Sequence, residues 1–281
     1  MQLGYNTNGF AHHQLADAIN ILSECGYTSV AITPDVHHLN PLQEDIYDKC
    51  TQIRLLLDQT RMHCVIETGS RFLLNAKRKH WPTLLSRNPE DRLQRMRFLT
   101  QCMDVAVLLG SKSISFWSGT PDAAEDETVL WDRLVDGCKQ LLDEAERRDL
   151  LLAFEPEPGM FIDRMDRFST LYQSLNHPRF GLALDMGHLF CQKELPLEAH
   201  IHQWSGQLFV VHLEDMKRDV HDHLMFGDGE MQFPPIFAAL QAIQYQHGVY
   251  VELSRHSHDA VRTAQHAYRF LLANGFPALT H

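Results

Sequence analysis

Short apolar runs alternate with longer segments of helical spacing along the whole chain. Residues 150–154 and 208–211 are unbroken apolar runs, which are typical of strands buried on both faces. Between such runs, the segment 127–148 carries apolar residues at helical spacing. Eight such alternations predict an α/β fold, and we expect a single-domain (β/α)8 TIM barrel over residues 1–281. The expected elements are strands near 2–6, 28–33, 62–67, 112–117, 150–155, 180–185, 208–214 and 248–253, and helices near 11–25, 42–60, 89–109, 127–148, 164–176, 196–204, 234–244 and 257–273.

Glycines and long connections refine this pattern. Gly26, Gly110 and Gly248 stand where a predicted helix gives way to a strand, so we expect each to cap a helix C-terminus. The connections 68–88 and 215–233 are long, and both follow strands, which places them on the catalytic face of a barrel. A doubly wound sheet remains an alternative, although the chain has no G-x-G-x-x-G after its first strand.

Four ionisable side chains end four of the apolar runs: Glu155, Asp185, His212 and Glu252. Charged groups rarely end a buried strand unless something pairs with them, and the strand ends of a barrel meet at one mouth. Three carboxylates and one imidazole suit a divalent metal ion. We expect Mn²⁺ first, with Mg²⁺, Co²⁺ and Zn²⁺ open. One such residue alone would more commonly be an exposed loop residue or a salt-bridge partner.

The two glutamates suggest a reaction. A metal that binds a carbonyl and a neighbouring hydroxyl acidifies the C–H bond between them and stabilises an enediolate. Glu155 and Glu252 come from strands three steps apart, so they can exchange a proton with opposite sides of that carbon. We therefore predict Glu155 and Glu252 as the catalytic acid and base, and as metal ligands with Asp185 and His212.

Further residues near these strand ends are candidates for binding the substrate. His188 follows Asp185 by three residues, Arg218 follows His212 by six, and Glu157 lies in a proline-stiffened loop after Glu155. The alternatives are a histidine that caps a helix, a solvated arginine and an exposed glutamate.

The connection after the third strand is basic in an otherwise acidic protein. Arg71 lies closest to the strand end, and the run 77–80 and Arg87 follow it. A cationic loop over a metal site would attract a phosphate or carboxylate group, so we expect Arg71 and part of the run 77–80 to contact an anionic substrate. A solvated surface run is the alternative.

Composition excludes several classes. The formal net charge of −11 disfavours nucleic acid as a partner, because phosphate contacts need a basic face. The six cysteines form no C-x-x-C pair, which argues against zinc-ribbon and thioredoxin-like proteins and favours a reduced, cytoplasmic protein. We recognise no signal peptide and no apolar run long enough for a membrane span.

The strand-end residues resemble the xylose isomerase-like TIM-barrel superfamily, which includes sugar epimerases, hydroxypyruvate isomerase, inosose dehydratase and endonuclease IV. Its strand-five Glu corresponds to Glu155, and its D-x-x-H motif to Asp185–His188. Its strand-seven His and strand-eight Glu correspond to His212 and Glu252. In the ketose 3-epimerase branch an arginine six residues after that histidine binds substrate, and Arg218 has this spacing. The resemblance implies that the two glutamates exchange the proton.

The endonuclease IV branch is matched less well. The segment 223–229 resembles its D-x-H-x-x-x-G-x-G signature, but His221 replaces the first aspartate. The histidines of that branch after strands three and four are replaced by the segments 67–69 and 116–118. A three-metal cluster is therefore not expected, while His221 and His223 remain candidates for a second ion or for the substrate.

These observations predict a metal-dependent isomerase or epimerase acting on a sugar, keto-sugar or sugar phosphate. One alternative is a lyase, dehydratase or hydrolase on the same scaffold, because the same enediolate could eliminate water. A non-catalytic carbohydrate-binding barrel and an endonuclease IV-like phosphodiesterase are further alternatives. The expected partner is a small carbohydrate, with or without an anionic group, and neither nucleic acid nor a membrane is expected. A homo-oligomer is left open.

Overall fold

The structure is a computed structural model, and it describes residues 1–277. Eight strands follow one another in a closed barrel order, β1-β10-β7-β6-β5-β4-β3-β2, as the apolar runs predicted. The two remaining strands, β8 and β9, form a separate antiparallel sheet. The strands are β1 (Gln2–Asn6), β2 (Ser29–Ile32), β3 (His63–Glu67), β4 (Ser113–Phe116), β5 (Leu151–Phe154), β6 (Phe180–Asp185), β7 (Leu208–Leu213), β8 (Asp215–Lys217), β9 (Val220–Leu224) and β10 (Gly248–Val251).

Helices connect the barrel strands. Two short 3-10 helices, Thr7–Phe10 and Ser257–Asp259, stand at places where the sequence predicted loop or helix. None of the helices in the described part of the chain has the length and hydropathy that a membrane span needs. The α-helices are α1 (Leu15–Cys25), α2 (Ile46–Thr60), α3 (Pro89–Leu109), α4 (Glu127–Arg147), α5 (Met165–Leu175), α6 (Met186–Cys191), α7 (Leu197–Gln203), α8 (Phe233–Ala242) and α9 (Ala260–Ala273).

The chain contains two compact units. The first comprises residues 1–32 and 55–64 and the chain from Leu182 onward, and the second comprises residues 33–54 and 65–181. That the whole chain is one domain therefore stays a prediction.

In the first unit, strands β1, β10 and β7 pair in parallel around Tyr250. Tyr250 pairs with Gly4 on one side and with His212 on the other. Its ring occupies the space that a Cβ would need at Gly4 and at Gly248, and its hydroxyl lies 2.9 Å from Ser29 Oγ. Glycine at these two positions is what lets a tyrosine pack here.

In the second unit, strands β3, β4 and β5 pair in parallel over an aromatic core. Phe116 pairs with Phe154 across β4 and β5, and their rings meet edge to face at 5.2 Å. Phe168 on α5 stacks on Phe154 and on Phe180, both with ring centroids 6.0 Å apart. These rings are fully buried or nearly so, and aromatic pairs of this kind contribute about 1 kcal/mol each beyond the area they bury.

Three details of the sequence prediction were wrong. The connection 215–233 contains the hairpin β8–β9 rather than loop alone, and Asp185 leads directly into α6. Gly26 and Gly110 cap α1 and α3 in the left-handed region, as predicted, but Gly248 is the first residue of β10 and pairs with Gln2. The ring of Tyr250, and not a helix end, requires glycine there.

Candidate active site

The predicted residues of the first unit lie at neighbouring strand ends. Asp185 ends β6 and pairs in register with His212, which is the next-to-last residue of β7. Glu252 directly follows β10, and its backbone N–H donates to the carbonyl of Leu213 at 2.9 Å. Because neighbouring strands bring these side chains to one end of the sheet, residues far apart in sequence form one cluster.

His212 and Glu252 contact each other directly. His212 Nδ1 lies 2.8 Å from Glu252 Oε2, and the imidazole is fully buried. The other oxygen of Glu252, Oε1, accepts a hydrogen bond from Asn8 Nδ2 at 2.9 Å. Burial alone would raise the pKa of Glu252. Hydrogen bonding to His212 and the nearby imidazoles outweigh burial and hold the pKa well below its usual range, so Glu252 is a carboxylate.

Asp185 caps a helix with one carboxylate oxygen and presents the other oxygen to the candidate site. Its Oδ1 accepts the backbone N–H of His188 at 2.9 Å, so Asp185 caps α6. Its Oδ2 is buried and lies 3.6 Å from His188 Nε2. Burial would raise the pKa of Asp185, but the imidazoles of His188 and His223 and a hydrogen bond with Glu214 outweigh it and lower the pKa.

Glu214 is a further buried carboxylate that the sequence analysis did not assign. It is fully buried, and its ligand atoms and those of Asp185 and His223 all lie within 4.8 Å of one another. Gly187 lies against it, because a Cβ at residue 187 would collide with Glu214 Oε1. The strand alternation was the available signal, since Glu214 is two residues beyond His212 and shares its face.

Three histidines meet beside these carboxylates. His221 and His223 alternate along β9, so both point to the same side of the hairpin. The Nε2 atoms of His221 and His188 lie 3.1 Å apart, and all three imidazoles have a nitrogen within 4.8 Å of the others. Burial lowers the pKa of His188 to about 4, and burial and His223 lower that of His221. At neutral pH His188 is therefore an uncharged imidazole, as a metal ligand must be.

A single carboxylate, Asp215, organises the segment that carries two of these histidines. Its Oδ2 accepts the backbone N–H groups of Gly227 and Gly229 at 2.9 and 3.0 Å. Its Oδ1 accepts those of Met216 and Met231 at 2.9 and 3.1 Å. A Cβ at Gly229 would collide with Asp215, which explains the glycine of the G-x-G segment. Asp215 thus holds the two ends of the segment 216–231 together and fixes the hairpin that this segment contains.

An ion pair connects the face of the hairpin opposite the histidines to the loop after β10. Asp222 lies between His221 and His223 on the opposite face of β9, and its carboxylate is 2.8 Å from Arg255 Nη1. This pair is partly exposed, so it adds little to stability, but it joins the hairpin to the loop that follows Glu252.

Residues of the second unit stand at their own strand ends. Glu155 follows β5 directly, is buried, and donates its backbone N–H to the carbonyl of Phe116 at 2.9 Å. Glu157 is half-buried in a turn in which its N–H donates to the carbonyl of Ile162. That Glu155 binds the metal and that Glu157 binds substrate both stay predictions.

The predicted cationic residues lie in different settings. Arg218 is exposed in the turn of the hairpin, with its guanidinium 5.7 Å from the Phe190 ring centre. Arg71 is half-buried, and its backbone N–H donates a hydrogen bond to Asp35 Oδ2 at 3.3 Å. The run 77–79 is exposed. Their roles toward substrate stay predictions.

A buried arginine supports the start of this basic loop. Arg95 on α3 is almost fully buried, donates to the carbonyl of Thr68 at 3.3 Å, and lies 4.3 Å from the Trp117 ring centre. Burial lowers its pKa to about 10, which still leaves it charged at neutral pH. At the end of β3, Glu67 accepts from Thr33 Oγ1 at 2.9 Å and from the N–H of Gly69 at 2.6 Å. These bonds fix the chain where the loop begins.

The donor set of the first unit fits a divalent cation. Asp185 and Glu214 are buried carboxylates next to each other, and the ligand atoms of both lie within 4.8 Å of a nitrogen of His223. Two buried carboxylates at this distance repel each other unless a proton or a cation lies between them. Carboxylate oxygens and imidazole nitrogens are ligands for Mn²⁺, Mg²⁺, Co²⁺ and Zn²⁺ alike.

A closed α/β barrel with acidic and imidazole residues at its strand ends defines the class of protein. The family model of the xylose isomerase-like TIM barrel matches residues 19–274, and the chain belongs to this family.

L-ribulose-5-phosphate 3-epimerases are among the curated relatives of this chain. L-ribulose-5-phosphate 3-epimerase UlaE of Salmonella paratyphi C (strain RKS4594) is 29% identical over 189 residues, which are 64% of this chain and 64% of the relative. UlaE of Shigella flexneri serotype 5b (strain 8401) is 25% identical over 190 residues, 66% of this chain and 65% of the relative. The match thus spans slightly less than two thirds of the length of these relatives.

Solved structures share the fold over nearly the whole chain. D-allulose 3-epimerase from Methylomonas sp., in complex with D-allulose, has a TM-score of 0.78 at 18% identity and covers 98% of this chain and 97% of its own. The IOLI protein with a binding zinc atom has a TM-score of 0.77 at 16% identity and covers 97% of both chains. At these identities the likeness shows the fold alone.

Proposed function

We propose that this protein is a divalent-metal-dependent epimerase of a ketose or ketose phosphate. The observation that carries the proposal is the position of Glu252, a half-buried carboxylate held between His212 and Asn8 at a strand end. A base that must remove a proton from carbon needs such a fixed, ionised carboxylate. The epimerase relatives support this reaction over dehydration or hydrolysis.

For the metal, we propose Glu155, Asp185, His212 and Glu252 as ligands, with Glu214 and His223 next to Asp185. Glu155 is included because, like Glu252, it is an acidic residue that directly follows a barrel strand. A bound divalent ion would polarise the substrate carbonyl and its neighbouring hydroxyl and so acidify the C–H bond between them. Mn²⁺ is our first choice of ion.

The proton transfer needs one glutamate ionised and the other protonated, and it needs no oxidant. One glutamate takes the proton from the substrate carbon, and the electron pair of the C–H bond stays on the substrate as an enediolate. The other glutamate returns a proton to the opposite face of the same carbon, which inverts it. We propose Glu252 and Glu155 for these two roles, and the substrate keeps its composition throughout.

Substrate oxygens would be held by side chains around these glutamates. We propose that His188, His221 and His223 contact hydroxyl groups, because their imidazoles meet beside Asp185 and His188 is neutral at neutral pH. Glu157 and Arg218 are further proposed contacts. Arg71 would bind an anionic end, which accords with relatives that act on L-ribulose 5-phosphate. A cytoplasmic location and a homo-oligomer stay predictions.

The test uses the purified full chain, stripped with a chelator and reloaded with Mn²⁺. L-ribulose 5-phosphate and D-allulose are offered in deuterated water, and the products are separated and weighed by mass spectrometry. We expect an epimer that has gained one deuteron at the inverted carbon. Loss of water would instead indicate a dehydratase, and no deuterium uptake from a panel of ketoses and ketose phosphates would overturn the proposal.

A further inference from the structure

The turn after β1 places an amide against the carboxylate of Glu252. Asn8 lies in the 3-10 helix Thr7–Phe10, and its Nδ2 is 2.9 Å from Glu252 Oε1. A carboxylate only accepts hydrogen bonds, so the amide must present its NH₂ group, because its carbonyl oxygen would oppose another acceptor. Asn8 is therefore a donor to Glu252.

The position of Asn8 is fixed on several sides. Asn6 Oδ1 accepts the backbone N–H of Asn8 at 3.1 Å, and Ser257 Oγ donates to the Asn8 carbonyl at 3.1 Å. Ser257 also accepts the backbone N–H of Ala11 at 3.3 Å. A Cβ at Gly9 would lie 3.2 Å from the carbonyl oxygen of Leu253, so the turn is packed against the chain immediately after Glu252. A donor anchored in this way has a defined direction.

The two oxygens of Glu252 therefore have separate neighbours. His212 Nδ1 lies at Oε2 and Asn8 Nδ2 at Oε1, and the side chain is only 16% exposed. Contacts on both oxygens prevent the carboxylate from rotating about its last side-chain bond. General-base catalysis depends on this orientation, because the accepting oxygen must stay within hydrogen-bond reach of the proton it removes.

We propose that Asn8 is a positioning residue that fixes the orientation of Glu252 for proton transfer. The proposal rests on the function proposed above, in which Glu252 is an acid/base residue. Asn8 acts through Glu252, by donating to an oxygen that bears negative charge. Aspartate has the same shape as asparagine but no N–H donor. We therefore expect Asn8→Asp to lower kcat more than Asn8→Ala, which only removes the donor.

The experiment compares Asn8→Ala with Asn8→Asp in the full chain loaded with Mn²⁺, at pH 8. The probe is L-ribulose 5-phosphate or D-allulose, whichever the unmodified protein epimerises. Losing a hydrogen bond to a charged group should lower kcat about ten- to a hundredfold in Asn8→Ala. Asn8→Asp keeps the shape but places a second negative charge against Glu252, so its kcat should fall further. We expect KM within about twofold, and Mn²⁺ content and Tm like those of the unmodified protein.

The order of the two variants separates orientation by a donor from a merely structural role. If Asn8 only fills space, the isosteric aspartate will retain more activity than alanine, and that result would overturn the proposal. Loss of Mn²⁺ in Asn8→Ala would do so as well, because Asn8 would then act on metal binding. Asn20→Ala, at an exposed position on α1, is the matched control and should leave kcat unchanged.

A second measurement does not depend on turnover. In crystal structures of the Mn²⁺-loaded protein and of Asn8→Ala, we expect the Glu252 carboxylate to turn or to occupy a second conformer in the variant. If the Glu252 carboxylate keeps its orientation and a single conformer in Asn8→Ala, the proposal is wrong even if activity falls. If the unmodified protein epimerises no ketose, the proposed function fails while this comparison still decides whether Asn8 orients Glu252.

Discussion

His212 Nδ1 lies 2.8 Å from Glu252 Oε2, and this contact joins the ends of two neighbouring strands of the barrel. Burial of a carboxylate alone would favour its neutral form, yet the pKa of Glu252 is held well below its usual range. The imidazoles around it therefore more than offset the cost of burial. A half-buried carboxylate that stays ionised can both bind a cation and accept a proton.

Glu252→Gln should abolish epimerisation while the fold remains. The amide has nearly the same shape but is not a base, and general-base catalysis commonly contributes about 10²- to 10⁴-fold to the rate. We expect kcat to fall by about that factor and Mn²⁺ affinity to weaken, measured by deuterium uptake and by metal titration. Glu146→Gln, exposed on α4, should behave like the unmodified protein. Full turnover by Glu252→Gln would remove Glu252 from the mechanism.

Removal of the metal should lower stability. Asp185 and Glu214 are buried close together, so a cation between them relieves their repulsion and binds the folded chain only. Free Mn²⁺ at a hundred times its Kd should stabilise the protein by about 2.7 kcal/mol, and a chelator should reverse this. Urea unfolding with and without Mn²⁺ measures the difference. In Asp185→Asn the gain should shrink, and an equal gain there would place the ion elsewhere.

Gly187→Ala should damage the site through Glu214. The new methyl group would collide with Glu214 Oε1 and lie 2.7 Å from Met216 Cε, and neither side chain has solvent to move into. Overpacking of this kind costs about 1–3 kcal/mol, and we expect Mn²⁺ affinity to fall as well because the carboxylate is displaced. Gly206→Ala is the control, because a Cβ there meets nothing within 4 Å. If the two variants match in unfolding and in metal titration, the packing around Glu214 is looser than described.

His80 should make stability fall as the solution becomes acidic. Burial and nearby Lys79 lower its pKa from 6.5 to about 4, in spite of its hydrogen bond to the Ser70 carbonyl. The unfolded chain binds the proton first as pH falls, so stability is full above pH 6.5 and is lost between about 6.5 and 4. The loss should approach about 3 kcal/mol.

The variant for this test is His80→Asn. Asparagine tolerates the left-handed backbone that His80 adopts, at φ 60°. Urea unfolding at pH 4.5 and pH 7 should show a smaller difference for His80→Asn than for the unmodified protein. His12→Asn, at an exposed position, should keep the original difference. An unchanged pH dependence in His80→Asn would show that other groups cause it.

Arg71→Ala should weaken binding of a phosphorylated substrate more than that of a free sugar. A guanidinium that contacts phosphate contributes to KM, and it adds little to kcat when the phosphate is far from the reacting carbon. We expect KM for L-ribulose 5-phosphate to rise about tenfold and KM for D-allulose to stay within twofold. Lys77→Ala, in the exposed part of the same loop, is the comparison. An unchanged KM for the phosphate ester would leave Arg71 without a role in binding.

The barrel strands could be predicted because their burial appears directly in the sequence. Strands β5, β6, β7 and β10 lie in apolar runs that lead to a charged or imidazole residue, and the strand-end positions of Asp185, His212 and Glu252 followed from this pattern. Helix α6 was missed because all six of its residues are buried and show no amphipathic pattern. The strand β9 was missed because Val220–Leu224 is polar and largely open on one side.

The sequence predicted only those residues of the candidate site that stand at the end of an apolar strand. Glu214 had a signal, the two-residue alternation after His212, whereas Asn8 had none, because asparagine is common in turns. Its contact with Glu252 joins residues 244 positions apart, which no local pattern contains. The role of Asp215 was equally hidden, since its four partners are backbone groups in a segment that resembles an irregular loop.

The packing of Tyr250 over Gly4 and Gly248 links three positions on two strands. Enlarging either glycine alone removes the space that the ring occupies, and shrinking Tyr250 alone leaves a cavity beside His212. A substitution at one of these three positions is therefore tolerated only together with a compensating substitution at a second of them. Across relatives of this chain we expect the three to be inherited as a set, so that a smaller residue at position 250 accompanies a larger one at position 4 or 248.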